Sequence, residues 1–95
     1  MSQDAPARTV RVYTKVLSRC FQCELTLKEL GKLGDAVEVE VYEGIDLPEN
    51  EQLLALFKSR PVPLLSAPIV TVHDAEGREL DAWAGFIPES IKRLA

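Results

Sequence analysis

Only two cysteines and one histidine occur among the 95 residues of this chain. So few soft ligands cannot complete a four-ligand zinc site within one chain. Nor can they form the disulfide framework of a small secreted domain. No apolar run approaches the length of a membrane-spanning helix. Basic residues are outnumbered, 11 Lys and Arg against 15 Asp and Glu, for a net charge of −4. That balance argues against nucleic acid or an anionic membrane as a partner. The opening "MSQDAPART" lacks a basic segment followed by an apolar one, so no signal peptide is expected. A cytoplasmic location follows as an expectation, and there thiols are kept reduced.

What is present suffices for one core, and a monomer is expected. Residues 1–8 read as a short disordered arm and 9–95 as a single domain. "TVRVYT", from Thr9 to Thr14, alternates as a strand. "KVLSR" breaks the pattern as a loop, and the helical spacing of Cys20, Cys23, Leu27, Leu30 and Leu33 follows, with Gly34 as its stop. Ala36 to Ile45 alternates valine with glutamate, as an edge strand with one wet face does. Asp46 and Glu49 have capping-box spacing ahead of a helix carrying Leu53, Leu54 and Phe57. After a proline-punctuated loop, Ile69–Val72 reads as an inner strand. A turn at Asp74–Gly77 leads to a returning strand over Glu79–Trp83. His73 is expected to be a solvent-facing residue of this turn. Pro88 opens a last helix with Ile91 and Leu94 on one face. The order βαβαββα makes this an α/β domain whose first two strands are parallel.

Cys20 and Cys23 stand at the start of the first helix in "RCFQCELTLKEL". A CxxC after the first strand of a βαβ unit suggests a thioredoxin-like redox site. The pair could also be two small core residues. A third reading is half of a metal or iron–sulfur site shared between two subunits, with the protein a carrier rather than an enzyme.

Four stretches, "VYTK", "CFQC", "SAPIV" and "WAGFIPESIKRL", occur in order between residues 10 and 94. Together they resemble the NrdH-redoxins, glutaredoxin-like proteins with thioredoxin-like activity. The resemblance implies a thioredoxin/glutaredoxin fold, a four-stranded mixed sheet flanked by three helices. It also implies a dithiol–disulfide oxidoreductase without a bound cofactor, working through a redox-active Cys20–Cys23 disulfide. Electrons would come from NADPH through thioredoxin reductase and pass to a class Ib ribonucleotide reductase or another disulfide client. Two features depart from the family. Four residues, "VLSR", separate Lys15 from Cys20 where the family has a shorter link, and the stretch from Val70 to Trp83 is longer.

The chemistry suits such a role. Thiol exchange needs an exposed thiolate, and free N–H groups at a helix start favour the anion of Cys20. Arg19 adds a neighbouring positive charge, and Lys15 another. Cys23, almost one turn on, is placed to resolve a mixed disulfide. Phe21 and Gln22, between the cysteines, are expected to meet the partner. By resemblance, the Ala67–Pro68 bond is cis and packs against the CxxC, with the Ala67 backbone free to pair with an extended substrate. Trp83, Gly85 and Phe86 would border the site and contribute to the partner surface. The double glycine and acidic pair of glutathione users are missing, so glutathione is expected to be a poor cosubstrate. A glutathione-dependent glutaredoxin stands as the alternative enzyme reading.

Overall fold

The computed structural model describes residues 8–94. The expected arm over residues 1–7 lies outside the described residues. Arg8, counted with that arm, leads directly into the sheet, its carbonyl accepting the Glu38 N–H at 3.0 Å. The elements are β1 (Thr9–Thr14), α1 (Phe21–Gly31), β2 (Glu38–Glu43), α2 (Glu51–Lys58), β3 (Ile69–His73), β4 (Glu79–Ala84) and α3 (Pro88–Lys92). They form one mixed sheet in the order β2-β1-β3-β4. β1 runs parallel to β2, with Thr9 opposite Glu38 and Thr14 opposite Glu43. β3 runs antiparallel to both β1 and β4, with an irregularity between Val72 and His73. The sheet has four strands and three helices, as the sequence pattern predicts.

Alternation in the strands assigns a cluster to each face. Val10, Val12, Val70, Val72 and Trp83 join Leu30 of α1 with Ile91 and Leu94 of the C-terminal segment. On the opposite face, Ile69 packs with Ile45, Phe57 and Leu64 under α2. Burying each such aliphatic side chain contributes about 1.5–3 kcal/mol. These two layers fix the end of β1 and the start of α1, where the cysteines lie.

Several expectations need correction. α1 ends at Gly31; Gly34, with φ +57°, opens a short 3-10 turn over Gly34–Ala36 instead of terminating the helix. β2 is an edge strand, but both its faces are open, with Val39 36% and Val41 44% exposed. α1 and α3 pack together over the inner strands and leave the outer one overhanging. His73 is buried within β3 and not exposed on the turn, its Nε2 lying 2.8 Å from Thr71 Oγ1. Alternation along β3 puts its ring on the face it shares with Ile69 and Thr71. Asp46 forms no cap on the helical segment that follows. Pro48 starts a 3-10 turn over Pro48–Asn50 that leads into α2, and the Asp46 carboxylate points elsewhere.

Candidate active site

Cys20 is the N-cap of α1, with extended backbone angles (φ −126°, ψ 91°). Its Sγ accepts the N–H of Cys23 at 3.1 Å, and its carbonyl accepts the N–H of Glu24 at 3.2 Å. Sulfur therefore occupies the place that a serine or aspartate oxygen takes in an ordinary cap. The Cys23 N–H, which has no partner inside the helix, points at it, and with the helix dipole it favours negative charge there. Cys20 is half-buried, whereas Cys23 is buried. The two form a disulfide, with Cα atoms 5.2 Å apart.

The residues singled out from the sequence fall into three groups. Lys15, Arg19, Cys20 and Cys23 line one cleft of about 580 Å³, together with Val16, Leu17, Leu27 and Val41. Lys15 thus reaches the rim of the site despite the longer loop. Arg19 is less available to Cys20 than expected. Its guanidinium lies 4.2 Å from the Phe21 ring centroid, and its Nε is 3.3 Å from Glu24 Oε2. Phe21 itself is 62% exposed beside the disulfide.

Gln22 joins the second group. Its Oε1 accepts the Phe86 N–H at 2.9 Å, across 64 residues of sequence. Gly85 donates its N–H to the Pro68 carbonyl at 2.8 Å, and the Ala67–Pro68 peptide is cis. The CxxC helix, the Ala67–Pro68 segment and the Gly85–Phe86 turn are therefore tied together by these two bonds. Ala67 shares a second cavity, of about 400 Å³, with Lys15, Gln22, Lys58, Leu65 and Ser66.

Trp83 forms the third case. It is only 6% exposed and belongs to the core beneath α1 and α3, so its indole supports the turn from inside. Phe86 is half-buried against the same core.

Sequence reasoning missed Asp46. Its Oδ1 accepts the Val16 N–H and its Oδ2 the Leu17 N–H, each at 2.9 Å. Partial desolvation would raise its carboxyl pKa. The N–H groups of Val16, Leu17 and Asp46 itself, with the charge of Lys15, outweigh that and hold it below the ordinary carboxylate range. The signal available in the sequence, a carboxylate directly after a strand, is one that a helix cap and a loop tether share. Among the described residues, no group of three His, Cys, Asp or Glu side chains is placed to hold a metal ion.

No protein-family model and no curated protein sequence matches the chain. Solved structures do. The glutaredoxin-like NrdH-redoxin from Escherichia coli, described as having a thioredoxin-like activity profile, superposes with a TM-score of 0.60 at 25% identity. That match covers 92% of this chain and 95% of the other. Thioredoxin f2 from Chlamydomonas reinhardtii gives a TM-score of 0.64 at 18% identity, covering 97% and 79%. Thioredoxin f2 in a complex with ferredoxin:thioredoxin reductase gives 0.61 at 11% identity, covering 95% and 76%. The chain has the thioredoxin/glutaredoxin fold, with a CxxC disulfide at the start of its first helix, and this combination supports dithiol–disulfide oxidoreductase chemistry.

Proposed function

We propose that this protein is a redoxin of the NrdH type, carrying electrons from NADPH-dependent thioredoxin reductase to a disulfide client, a class Ib ribonucleotide reductase. It would act in the reducing cytoplasm without a bound cofactor. The observation that carries this reading is the sulfur of Cys20 serving as helix N-cap, with buried Cys23 one turn behind it. The Cys20 thiolate attacks one sulfur of the client disulfide, forming a mixed disulfide and releasing a client thiolate. The Cys23 thiolate then attacks the Cys20 sulfur, closing the internal disulfide and releasing the second client thiolate. The redoxin loses two electrons and the client gains them; the reductase reverses the change at NADPH's expense. Ala67, beside the cis Pro68, would offer backbone to an extended client segment, with Gln22, Gly85 and Phe86 tied in next to it and Phe21 exposed at the CxxC. Trp83 shapes that surface from beneath.

The glutathione reading has one observation in its favour. Lys15, Gln22 and Lys58 line the cavity beside Ala67 and could receive carboxylates. Glutathione also carries an ammonium group, and the one acidic side chain lining that cavity is Asp46, whose two oxygens already accept backbone N–H groups. The test is NADPH oxidation with insulin as disulfide substrate under two reductants. A cognate thioredoxin reductase should sustain turnover, and glutathione with glutathione reductase should not. Brisk glutathione-coupled turnover without response to the reductase would move the protein to the glutaredoxins.

A further inference from the structure

Two apolar side chains in the loop before the CxxC have no place in either core. Val16 is 48% and Leu17 67% exposed, yet both line the cleft that holds Cys20 and Cys23. A loop of this kind would ordinarily sample many conformations. Here its backbone is anchored from 29 and 30 residues away, because the two oxygens of Asp46 take one N–H each from Leu17 and Val16. Charge-assisted bonds of this type are stronger and more directional than neutral ones. The anchor sits where β2 runs into the helical segment, a junction itself fixed by the Gly44 and Ile45 N–H groups on the Thr14 carbonyl at 2.8 and 2.9 Å. Both ends of the tether are therefore held to the last residue of β1. The consequence is a preset apolar rim on one side of the disulfide, with exposed Phe21 beside it.

We propose that Asp46 is a positioning residue that holds Val16 and Leu17 as a ready-formed contact for apolar side chains flanking the cysteine of a protein disulfide client. This rests on the oxidoreductase reading above and adds how that site selects its substrate. Fixing the rim before encounter reduces the ordering cost of binding, so its loss should appear in substrate affinity. A small disulfide, lacking flanking residues, cannot use the rim. The loop insertion that departs from the family would then serve to choose the client.

The experiment mixes the pre-reduced full chain with insulin, and separately with bis(2-hydroxyethyl) disulfide, which is uncharged and so does not sense the Asp46 charge directly. Wild type, Asp46→Ala, Leu17→Ser and the double variant are compared by half-saturating concentration and maximal rate. For each single variant, the preference for insulin over the small disulfide should fall by about fivefold or more, through the half-saturating concentration. The double variant should be no worse than Asp46→Ala alone, because both changes remove the same contact. Equal slowing with both disulfides would make Asp46 merely structural, and an unchanged preference or additive losses would also overturn the proposal. Leu17→Ser, at an exposed position, keeps the test informative if Asp46→Ala folds poorly. A wild type that reduces neither disulfide would instead refute the oxidoreductase reading.

Discussion

Gly85→Ala probes the junction that ties the CxxC helix to the Phe86 turn. Gly85 has φ +86°, where an L-residue costs about 1–2 kcal/mol. A Cβ at this position would stand 3.0 Å from Gln22 Oε1, the atom that accepts the Phe86 N–H. To clear it, the Gln22 carboxamide must give by a few tenths of an ångström, which weakens that bond at a cost of about 0.5–1.5 kcal/mol. Together the two effects amount to about 2.5 kcal/mol. For a domain of this size the melting temperature should fall by about 10–20 °C. Gln22→Ala removes only the hydrogen bond and should cost about 1 kcal/mol. In the double variant no carboxamide obstructs the new methyl, so its cost should be about 1 kcal/mol less than the sum of the singles. Thermal unfolding of the oxidised chain measures all three. A Gly85→Ala variant that melts within about 2 °C of the parent, or a strictly additive double variant, would refute the reasoning.

Cys20 in the reduced chain should react with iodoacetamide at pH 6.5 before Cys23, because N-cap geometry favours its thiolate and Cys23 is buried. Mass mapping that finds Cys23 modified first would reverse the assigned roles. Stability should also respond to acid. The Arg78 N–H holds the Asp74 carboxyl below its ordinary 3.8, and the Arg60 guanidinium holds Glu79 below 4.5. Asp46 is depressed as well. Carboxyls lowered in the folded state stabilise fully above their unfolded values and lose that contribution as pH falls through the folded ones. Melting temperature should therefore be level above about pH 5 and drop below about pH 4, less steeply in Asp74→Asn. A curve that stays level to pH 3 would show that these interactions do not distinguish the folded from the unfolded chain.

The fold was legible where one physical demand fitted one pattern. Alternating valines in β1 fit a strand, and the continuous apolar run of β3 fits an inner one, buried on both faces. The turn from Asp74 to Gly77 was legible for a similar reason. Asp74 Oδ1 accepts the N–H groups of Glu76 and Arg78, and Gly77 takes φ +86°. His73 was misplaced because β3 runs one residue beyond its apolar stretch, which keeps His73 on the buried face it shares with Ile69 and Thr71. Composition around the turn does not report where the strand ends. The exposure of Val39 and Val41 was equally hidden, since it depends on how far α1 and α3 reach across the sheet.

At the site, the local half was readable and the assembled half was not. CxxC spacing places two sulfurs one turn apart whatever surrounds them, so the pair could be found from four residues. The bond from Phe86 to Gln22 spans 64 residues and exists only because the sheet brings β4's end over the start of α1. Asp46 shows the stronger form of this degeneracy. A short carboxylate after a strand can accept the N–H groups of the helix that follows, or those of any loop that packs beside it. Both satisfy the same demand for acceptors at exposed backbone donors. Local sequence favours the cap because its partners are only a few residues away. In the structure the helical segment opens at Pro48 with Leu47 in the cap position, while Val16 and Leu17 present two donors side by side to the Asp46 carboxylate. In this chain the carboxylate that follows β2 therefore serves the loop beside the disulfide and not the helix ahead of it.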